Sequence, residues 1–348
     1  METQQNKQMA KEVMVIAEAG VNHNGNFQNA IKLIDQAAFA GADFIKFQTF
    51  KARNLSTKKA KKAKYQIKSK SVDESQYKML KALEVPLNWY PKIIKHCKKR
   101  GIKFLSSGFD CDSIDFLDKL NLMLFKIPSG EINHKTLLKH VARKNKNIIL
   151  STGMSTITEI REALDILISE GISKEKVTIL HCTTQYPTAL KNVNLRAMLD
   201  IKKRFKVKVG YSDHTEGIEV SIAAVALGAQ VIEKHFTLDK KLVGPDHKAS
   251  LDPYELKKMI EGIKNVSQAI SGSGIKEPTF DELENIESIR KSLCYLNRLP
   301  KGTIIKENHL IALRPGDTVN PMEIDSFIGK QLIRDVDIYQ KLNKKDFK

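Results

Sequence analysis

The chain has 348 residues, of which 41% are hydrophobic and 28% are charged, as in ordinary globular proteins. No apolar run approaches the roughly 18 residues that cross a bilayer, and the N-terminus lacks the apolar core of a signal peptide, so we expect neither membrane insertion nor export. The net charge of +18 suggests nucleic-acid binding, but aromatic residues make up only 7% and do not alternate with basic residues as in single-strand binders. We therefore expect no nucleic-acid partner.

Short β-rich runs alternate with amphipathic helical patterns from residue 13 to about residue 270. The predicted strands are 13–18, 44–48, 103–107, 124–129, 147–152, 177–182, 207–212 and 231–236. The predicted helices are 27–40, 87–100, 112–120, 134–144, 156–170, 194–204, 217–228 and 253–270. Strand–helix alternation implies parallel strands with right-handed crossovers, and eight repeats in about 260 residues is the size of an α/β (β/α)8 TIM barrel. A doubly wound open sheet is less favoured because no strand opens with a GxGxxG turn.

Three segments depart from this alternation. Residues 51–80 form an insertion too long for a simple connection, which makes it a candidate substrate loop. Residues 271–287 are rich in Gly, Ser, Pro and acidic residues and are predicted as a linker. Residues 288–348 are predicted to form a small second domain with a modest core of its own. The predicted organisation is a barrel at 1–270, the linker, and this C-terminal domain.

Four cysteines, Cys97, Cys111, Cys182 and Cys294, are widely separated and form no CxxC pair. This spacing argues against a disulfide framework or a zinc knuckle and indicates a reducing cytoplasm.

Every predicted strand ends in polar residues. In a TIM barrel the C-terminal strand ends lie on one face, which is where the active sites of such enzymes are found. The polar residues at these ends are Glu18, Lys46, Gln48, Ser107, Lys126, Ser129, Ser151, Thr184, Ser212, His214, Glu233 and His235. A purely structural barrel has no need of eight polar strand ends, so the pattern predicts an enzyme.

Two histidines, His214 and His235, end the neighbouring seventh and eighth strands. Their imidazoles can converge on this face, and two neutral imidazoles with open positions suit a catalytic divalent metal such as Mn²⁺, Co²⁺ or Zn²⁺. No third ligand stands at the spacing of a closed zinc site, although His23 and His247 could share the site.

Two lysines, Lys46 and Lys126, are predicted to point into the barrel mouth, where burial of a charge is unfavourable unless an anion meets it. Four serines near the strand ends add hydrogen-bond donors: Ser107, Ser129, Ser151 and Ser212. Together they predict a pocket for phosphate and carboxylate groups. A metal beside such a pocket indicates carbon–carbon bond chemistry on a phosphorylated small molecule.

The barrel contains a set of specific motifs. They are AEAGVNHNG (17–25), GADFIKFQTFKA (41–52), FKIPSGEI (125–132), ILSTGMST (149–156), LHCTTQYPT (180–188), VGYSDHTEGIEVSIAAVALGA (209–229), VIEKHFTLDK (231–240) and GPDHKASLDP (244–253). These motifs resemble the sialic acid synthase family, which includes the N-acetylneuraminate and legionaminic acid synthases. RPGDTVNPME (314–323) and FIGK (327–330) resemble the antifreeze-like (SAF) β-rich cap domain of that family.

The resemblance implies a transferase that condenses phosphoenolpyruvate with the open-chain aldehyde of an N-acetylated mannose-type sugar. The products are a nine-carbon α-keto acid and phosphate. By the same resemblance, His214 and His235 hold Mn²⁺, or alternatively Mg²⁺ or Co²⁺, which polarises the aldehyde oxygen. The enol carbon attacks the aldehyde, water adds at C2, and phosphate leaves by C–O cleavage. Glu18 matches the acid of the family that manages this water and its proton.

The resemblance also implies which residues of this chain contact the two substrates. Those for phosphoenolpyruvate match Lys46, Ser107, Lys126, Ser129, Ser151, Thr184 and Ser212. Those for the sugar match Gln48, Tyr186, Asp246 and Arg314. In this family the cap of one subunit closes the barrel of its partner, so the resemblance implies a homodimer in which Arg314 reaches the N-acyl group.

Some positions depart from the family pattern. The chain reads SSGF at 106–109 where the family usually has STPF, so Ser107 replaces a threonine. Thr184 stands where some members have asparagine, and RPGD replaces RPGN or RPGL. None of these changes removes a group that the reaction requires. The sugar can be N-acetylmannosamine, 2,4-diacetamido-2,4,6-trideoxymannose or an altrose isomer, and HCTTQYP and HKAS favour the second, legionaminic type.

Alternative functions make different predictions. A Schiff-base aldolase would use Lys126 or Lys46 as its nucleophile and would keep its activity in a chelator. A pseudaminic acid synthase would take the altrose isomer. A carbohydrate- or ice-binding protein would rely on the C-terminal domain alone and would not need the polar strand ends.

Overall fold

The computed structural model describes residues 13–63 and 75–348; the N-terminal segment and part of the 51–80 insertion lie outside them. The chain divides into two compact units, of which the first ends at Gly272 and the second spans Ser273–Lys348. Among the described residues, no helix combines the length and the apolar character that a membrane span requires.

Eight parallel strands close into a barrel in which neighbours in sequence are neighbours in space, which confirms the predicted TIM barrel. The strands are β1 (Met14–Gly20), β2 (Phe44–Thr49), β3 (Lys103–Gly108), β4 (Leu124–Ile127), β5 (Asn147–Ser151), β6 (Val177–Cys182), β7 (Lys208–Asp213) and β8 (Val231–His235). Strand β4 ends two residues earlier than predicted because Pro128 has no amide N–H for the ladder.

Ten α-helices belong to the described residues of the first unit. They are α1 (Phe27–Ala40), α2 (Ala52–Leu55), α3 (Gln76–Leu83), α4 (Tyr90–Arg100), α5 (Cys111–Lys119), α6 (Lys135–Ala142), α7 (Ile157–Ser169), α8 (Arg196–Phe205), α9 (Glu219–Ala226) and α10 (Pro253–Ala269). Side-chain caps fix several starts: Thr156 begins α7 and Asp252 begins α10, each in a capping box. The short helices α2 and α3 lie in the segment that was predicted only as a loop.

An apolar layer fills the lower part of the barrel interior. Because side chains alternate along a strand, every second residue points inward. The residues of this layer are Ile16, Phe44, Leu105, Leu124, Ile149, Leu180 and Val231. Strand β7 contributes Gly210 beside Leu180. A Cβ on Gly210 would lie 2.2 Å from the carbonyl oxygen of Val231, so a larger residue does not fit there. This floor excludes water from beneath the barrel mouth.

The second unit has a core of its own. Helix α11 (Phe280–Ile289) begins at a Thr279 capping box, so part of the predicted 271–287 linker is helical. Strands β9 (Ser292–Tyr295) and β10 (Leu310–Leu313) form a two-stranded antiparallel sheet. The core residues are Leu293, Tyr295, Leu299, Ile305, Leu310, Val319, Phe327, Leu332, Val336, Leu342 and Phe347. A small C-terminal unit with an antiparallel sheet is confirmed, and its antifreeze-like character stays a prediction.

Candidate active site

A polar layer lies directly above the apolar floor. Each of its residues follows a floor position by two along its strand, which keeps its side chain inside the barrel. The polar layer consists of Glu18, Lys46, Ser107, Lys126, Ser151, Cys182, Ser212 and Glu233, and all of them are buried. On all eight strands the polar residue follows the inward-facing residue of the floor, so the whole polar layer lies at one depth in the barrel.

Two lysines and two carboxylates form a buried ionic network within this layer. Lys46 Nζ lies 2.7 Å from Glu18 Oε2 and 3.7 Å from Glu233 Oε1, and it donates to Ser107 Oγ at 3.0 Å. Lys126 Nζ lies 3.4 Å from the same Glu233 oxygen. The strand register aligns Glu18 with Lys46 across β1 and β2 and Ser107 with Lys126 across β3 and β4, whereas the contacts of Glu233 cross the barrel interior.

The network shifts the pKa values of its members in different directions. Burial raises the pKa of Glu18 to about 7, with Lys46 opposing this rise and Glu233 adding to it. Burial would also raise the pKa of Glu233, but Lys126 and Lys46 outweigh it and hold that pKa below its ordinary value. The pKa of Lys46 is raised because its carboxylates outweigh burial, whereas burial lowers the pKa of Lys126. Glu18 is therefore suited to exchange a proton near neutral pH.

His214 and His235 lie one step above the polar layer, at the mouth of the barrel. Their ring centroids are 5.4 Å apart. His214 Nδ1 lies 2.7 Å from the carbonyl oxygen of Thr183, and His235 Nδ1 is buried without a hydrogen-bond partner, 3.9 Å from Asp246 Oδ2. Burial lowers the pKa of His214 to about 4 and that of His235 well below its ordinary value, so both rings are neutral at pH 7.

The chemistry of this pair fits a divalent cation. Neutral imidazoles offer lone pairs to metals, and His235 has an unpartnered buried nitrogen. Across residues 13–63 and 75–348, no group of three or more His, Cys, Asp or Glu side chains is arranged to hold a metal. A cation here would have two protein ligands and take its remaining ligands from substrate and water oxygens, as in an open catalytic site.

The site consists of two adjoining chambers. The inner chamber, of about 380 Å³ including solvent at its opening, is lined by the polar layer together with Gln48, Phe109, Pro128, Ser129, Tyr186, His214 and His235. The outer chamber, of about 1090 Å³ including solvent at its mouth, is lined by Gln48, Leu55, Gln76, Leu80, Phe109, Pro128, Ser129, Gly130, Glu131, Met154, Thr184, Tyr186, His235 and Asp246. Tyr186 and His235 line both chambers and mark the junction, and the ring of Tyr186 lies 4.1 Å from that of His214 in the inner chamber.

The chambers bring together all the predicted site residues of the barrel. The inner chamber holds Glu18, Lys46, Gln48, Ser107, Lys126, Ser129, Ser151, Tyr186, Ser212, His214 and His235, and the outer chamber holds Thr184 and Asp246. Arg314 belongs to the second unit, where it is exposed directly after β10. Burial raises the pKa of Asp246 to about 6.

Hydroxyl groups are available for an anion in both chambers. Ser151 Oγ and Thr184 Oγ1 are buried and have no hydrogen-bond partner among the described residues. Ser212 Oγ donates to Glu233 at 3.3 Å, and Ser129 Oγ accepts from the amide of Gly153 at 2.9 Å. Such unpartnered or exchangeable donors are stabilised when a phosphate or carboxylate binds.

Glu233 contacts both lysines, and no role was predicted for it beyond its place among the polar strand ends. The available signal was its position two residues before His235, which puts both side chains inside the barrel. His23 and His247 line neither chamber. His23 packs 5.9 Å from the ring of Trp89, and His247 Nδ1 lies 2.7 Å from Thr237 Oγ1.

Comparison with known proteins gives consistent results. The NeuB family matches residues 33–276. The chain is 52% identical over 320 residues to N,N'-diacetyllegionaminic acid synthase of Campylobacter jejuni, covering 92% of this chain and 96% of that protein. It is 44% identical over 321 residues to the synthase of the same name from Legionella pneumophila, covering 91% and 90%. The crystal structure of N-acetylneuraminic acid (sialic acid) synthetase from Leptospira borgpetersenii superimposes with a TM-score of 0.70 at 32% identity, covering 80% of this chain and 91% of that one.

Proposed function

Because the chain belongs to the NeuB family of sialic acid synthases, we propose that it condenses phosphoenolpyruvate with an N-acetylated mannose-type sugar. The products are a nine-carbon α-keto acid and phosphate. One observation carries the proposal most directly: two buried lysines lie above an apolar floor, beside a pair of neutral histidines. The lysines suit an anionic substrate, and the histidines suit electrophilic activation of a second one.

Phosphoenolpyruvate occupies the inner chamber in this proposal. Its carboxylate and phosphate groups meet Lys46 and Lys126, and its remaining oxygens accept from hydroxyl groups. The hydroxyl donors that line this chamber are Ser107, Ser129, Ser151 and Ser212, and Thr184 adds a hydroxyl from the adjoining outer chamber. Because the apolar floor excludes water below, few water molecules compete for these charge-assisted hydrogen bonds. The bonds therefore hold phosphoenolpyruvate with its enol carbon facing the junction of the two chambers.

The sugar aldehyde lies at the junction, held by Gln48, Tyr186 and Asp246. His214 and His235 would hold a divalent cation, for which we propose Mn²⁺ with Mg²⁺ or Co²⁺ as substitutes, and this cation would supply Lewis-acid polarisation of the aldehyde oxygen. The enol carbon forms the new carbon–carbon bond, water adds to C2 of the former phosphoenolpyruvate, and the C–O bond to phosphate breaks. Glu18, with its pKa near 7, takes the proton of that water.

The identity of the sugar substrate is a separate part of the proposal. The two relatives from Campylobacter and Legionella bear the name N,N'-diacetyllegionaminic acid synthase, which supports 2,4-diacetamido-2,4,6-trideoxymannose. N-acetylmannosamine is the second candidate, and it would give N-acetylneuraminate.

We further propose that the enzyme is a homodimer in which the C-terminal domain of one subunit caps the active site of its partner through Arg314. The resemblance of RPGDTVNPME to the family's antifreeze-like cap supports this arrangement. We assign the enzyme to the cytoplasm, because its four cysteines are all unpaired, as in a reducing compartment.

The deciding experiment measures phosphate release from phosphoenolpyruvate with Mn²⁺, using each of the two sugars and repeating the assay in EDTA. We expect release that requires both metal and sugar. A Schiff-base aldolase is favoured only by the lowered pKa of Lys126, and it predicts activity in EDTA and an adduct that borohydride traps. If neither sugar supports release, the proposal is wrong as stated, and the altrose isomer is the next substrate to assay.

A further inference from the structure

One side of the outer chamber is an apolar wall. Leu55 of α2 and Leu80 of α3 line the chamber together with Phe109, and we call these three residues the apolar wall. Their side chains join a satellite hydrophobic cluster around buried Phe50 and Leu83, separate from the main barrel core. Polar residues of the barrel rim, among them Gln48, Thr184 and Asp246, also line the outer chamber, so its lining combines apolar and polar groups.

The apolar wall is braced by hydrogen bonds between α2 and its surroundings. The carboxylate Oε1 of Glu84, which follows α3, accepts from the amide of Ala52 at the start of α2, at 2.7 Å. Past the end of α2, Ser56 Oγ donates to Gln76 Oε1 at 3.0 Å. Both ends of α2 are therefore tied to α3 or to the residue that follows it, and these contacts hold Leu55 and Leu80 at the same chamber.

The position of the wall determines which part of the sugar meets it. This step rests on the proposed function. The aldehyde carbon must lie beside His214 and His235, at the junction of the two chambers. Since the inner chamber holds phosphoenolpyruvate, the sugar chain extends outward, and its C4 to C6 end lies in the outer chamber, which contains the wall.

We propose that Leu55 and Leu80 are specificity-determining residues that select a sugar with an apolar distal end. The 2,4-diacetamido-2,4,6-trideoxy sugar presents a C6 methyl group and the methyl of its C4 acetamido group. N-acetylmannosamine presents hydroxyls at both carbons, which lose water against the apolar wall and find no partner on the two leucines. Apolar pockets discriminate by about 10- to 100-fold on such differences, so the wall sets a moderate preference.

The test compares kcat/KM for the two sugars in the wild type and in Leu55→Gln and Leu80→Gln. Glutamine keeps the helix propensity and approximate length of leucine while adding donors and acceptors to the wall. We expect each substitution to lower the ratio of kcat/KM for the trideoxy sugar to that for N-acetylmannosamine by about tenfold. Leu80→Met, which keeps the wall apolar, should retain the wild-type ratio.

Leu87→Gln is the matched control. Leu87 follows α3, is exposed and lines neither chamber, so the ratio should stay at its wild-type value. Thermal unfolding of each variant distinguishes a fold defect, which lowers both rates together, from a change in selectivity. If wild-type enzyme prefers N-acetylmannosamine, or if the glutamine variants leave the ratio unchanged, the inference is overturned while the proposed function stands. Absence of phosphate release with every sugar would remove the proposed function, and this inference with it.

Discussion

His23 is a histidine that the fold keeps uncharged. It is fully buried, its Nδ1 accepts from the amide of Gly25 at 3.0 Å, and burial lowers its pKa to about 4. As pH falls below about 6.5, the unfolded chain takes up a proton at this side chain that the folded protein cannot accept until about pH 4. Stability contributed by neutral His23 is therefore present at neutral pH and is lost as the pH is lowered.

We predict that His23→Asn, which retains an acceptor for the Gly25 amide, weakens this pH dependence. Lowering the pH from 7 to 5 should cost the wild type about 2 kcal/mol more unfolding free energy than it costs the variant. Urea denaturation of metal-free protein at both pH values measures the difference. Equal losses in the two proteins would show that His23 does not contribute to acid sensitivity.

The residues of the site differ in how far the sequence could reveal them. Residues at strand ends, such as Lys46 and His235, could be predicted because strand alternation and the barrel rule place them on one face. The bridge from Glu233 to Lys46 and Lys126 could not, because it spans the barrel interior between strands that are not neighbours. Such contacts depend on the curvature of the closed sheet, which a linear pattern does not contain.

At the scale of elements, β7 and β8 are joined on their outer side by a buried ion pair. Lys234 Nζ lies 2.9 Å from Asp213 Oδ2, both side chains are fully buried, and Lys234 also donates to the carbonyl oxygen of Thr215 at 2.6 Å. Each member directly precedes one of the two histidines in sequence. The ion pair thus holds the backbones of His214 and His235 at a set separation from the outer side of the barrel.

We predict that Lys234→Met destabilises the protein by about 3 to 5 kcal/mol, because Asp213 is then left buried without its counter-ion. The double variant Asp213→Asn/Lys234→Met removes both charges and should recover a large part of this loss. Urea denaturation of the two variants and the wild type gives the comparison. A double variant no more stable than the single one would contradict an electrostatic origin.

Helices α3 and α11 are two elements that were not predicted from the sequence. Helix α3 begins in the 51–80 insertion, which was predicted as a loop from its length, and α11 begins in the 271–287 segment, which was predicted as a linker from its Gly, Ser, Pro and acidic residues. Their starts nevertheless carry local signals for a helix, Ser75 and the Thr279–Glu282 capping box. The barrel helices could be predicted because a buried apolar face repeats with helical period, and α11 has no buried residue at all.

At the scale of the whole molecule, the proposed exchange of caps between subunits can be tested by complementation. We predict that a heterodimer of one Arg314→Ala subunit and one Glu18→Gln subunit, isolated with two affinity tags, has about half the activity of the wild-type dimer. One of its sites combines both defects, and the other has an intact barrel and an intact cap. If each cap serves its own barrel, both sites are damaged and the heterodimer is no more active than the parents.

The fold itself could be predicted from the chain because eight repeats of the same local pattern all lead to one closed architecture. The two units could be separated because the texture changes after α10. The chambers could not be foreseen, since their shape depends on where α2 and α3 pack over the barrel mouth.

The stacking of a polar layer on an apolar floor has a consequence for the kinds of genetic change that this enzyme can accept. Loss of a single codon within a barrel strand reverses the direction in which every later side chain of that strand points. The residues of the floor and of the polar layer would then face the helices, and the residues that pack against the helices would face the barrel interior. A substitution on the same strand disturbs only one position. The lineage of such an enzyme is therefore free to vary by point mutation and by insertion in its loops, as in the segment that holds Leu55 and Leu80, while the length of each strand stays fixed.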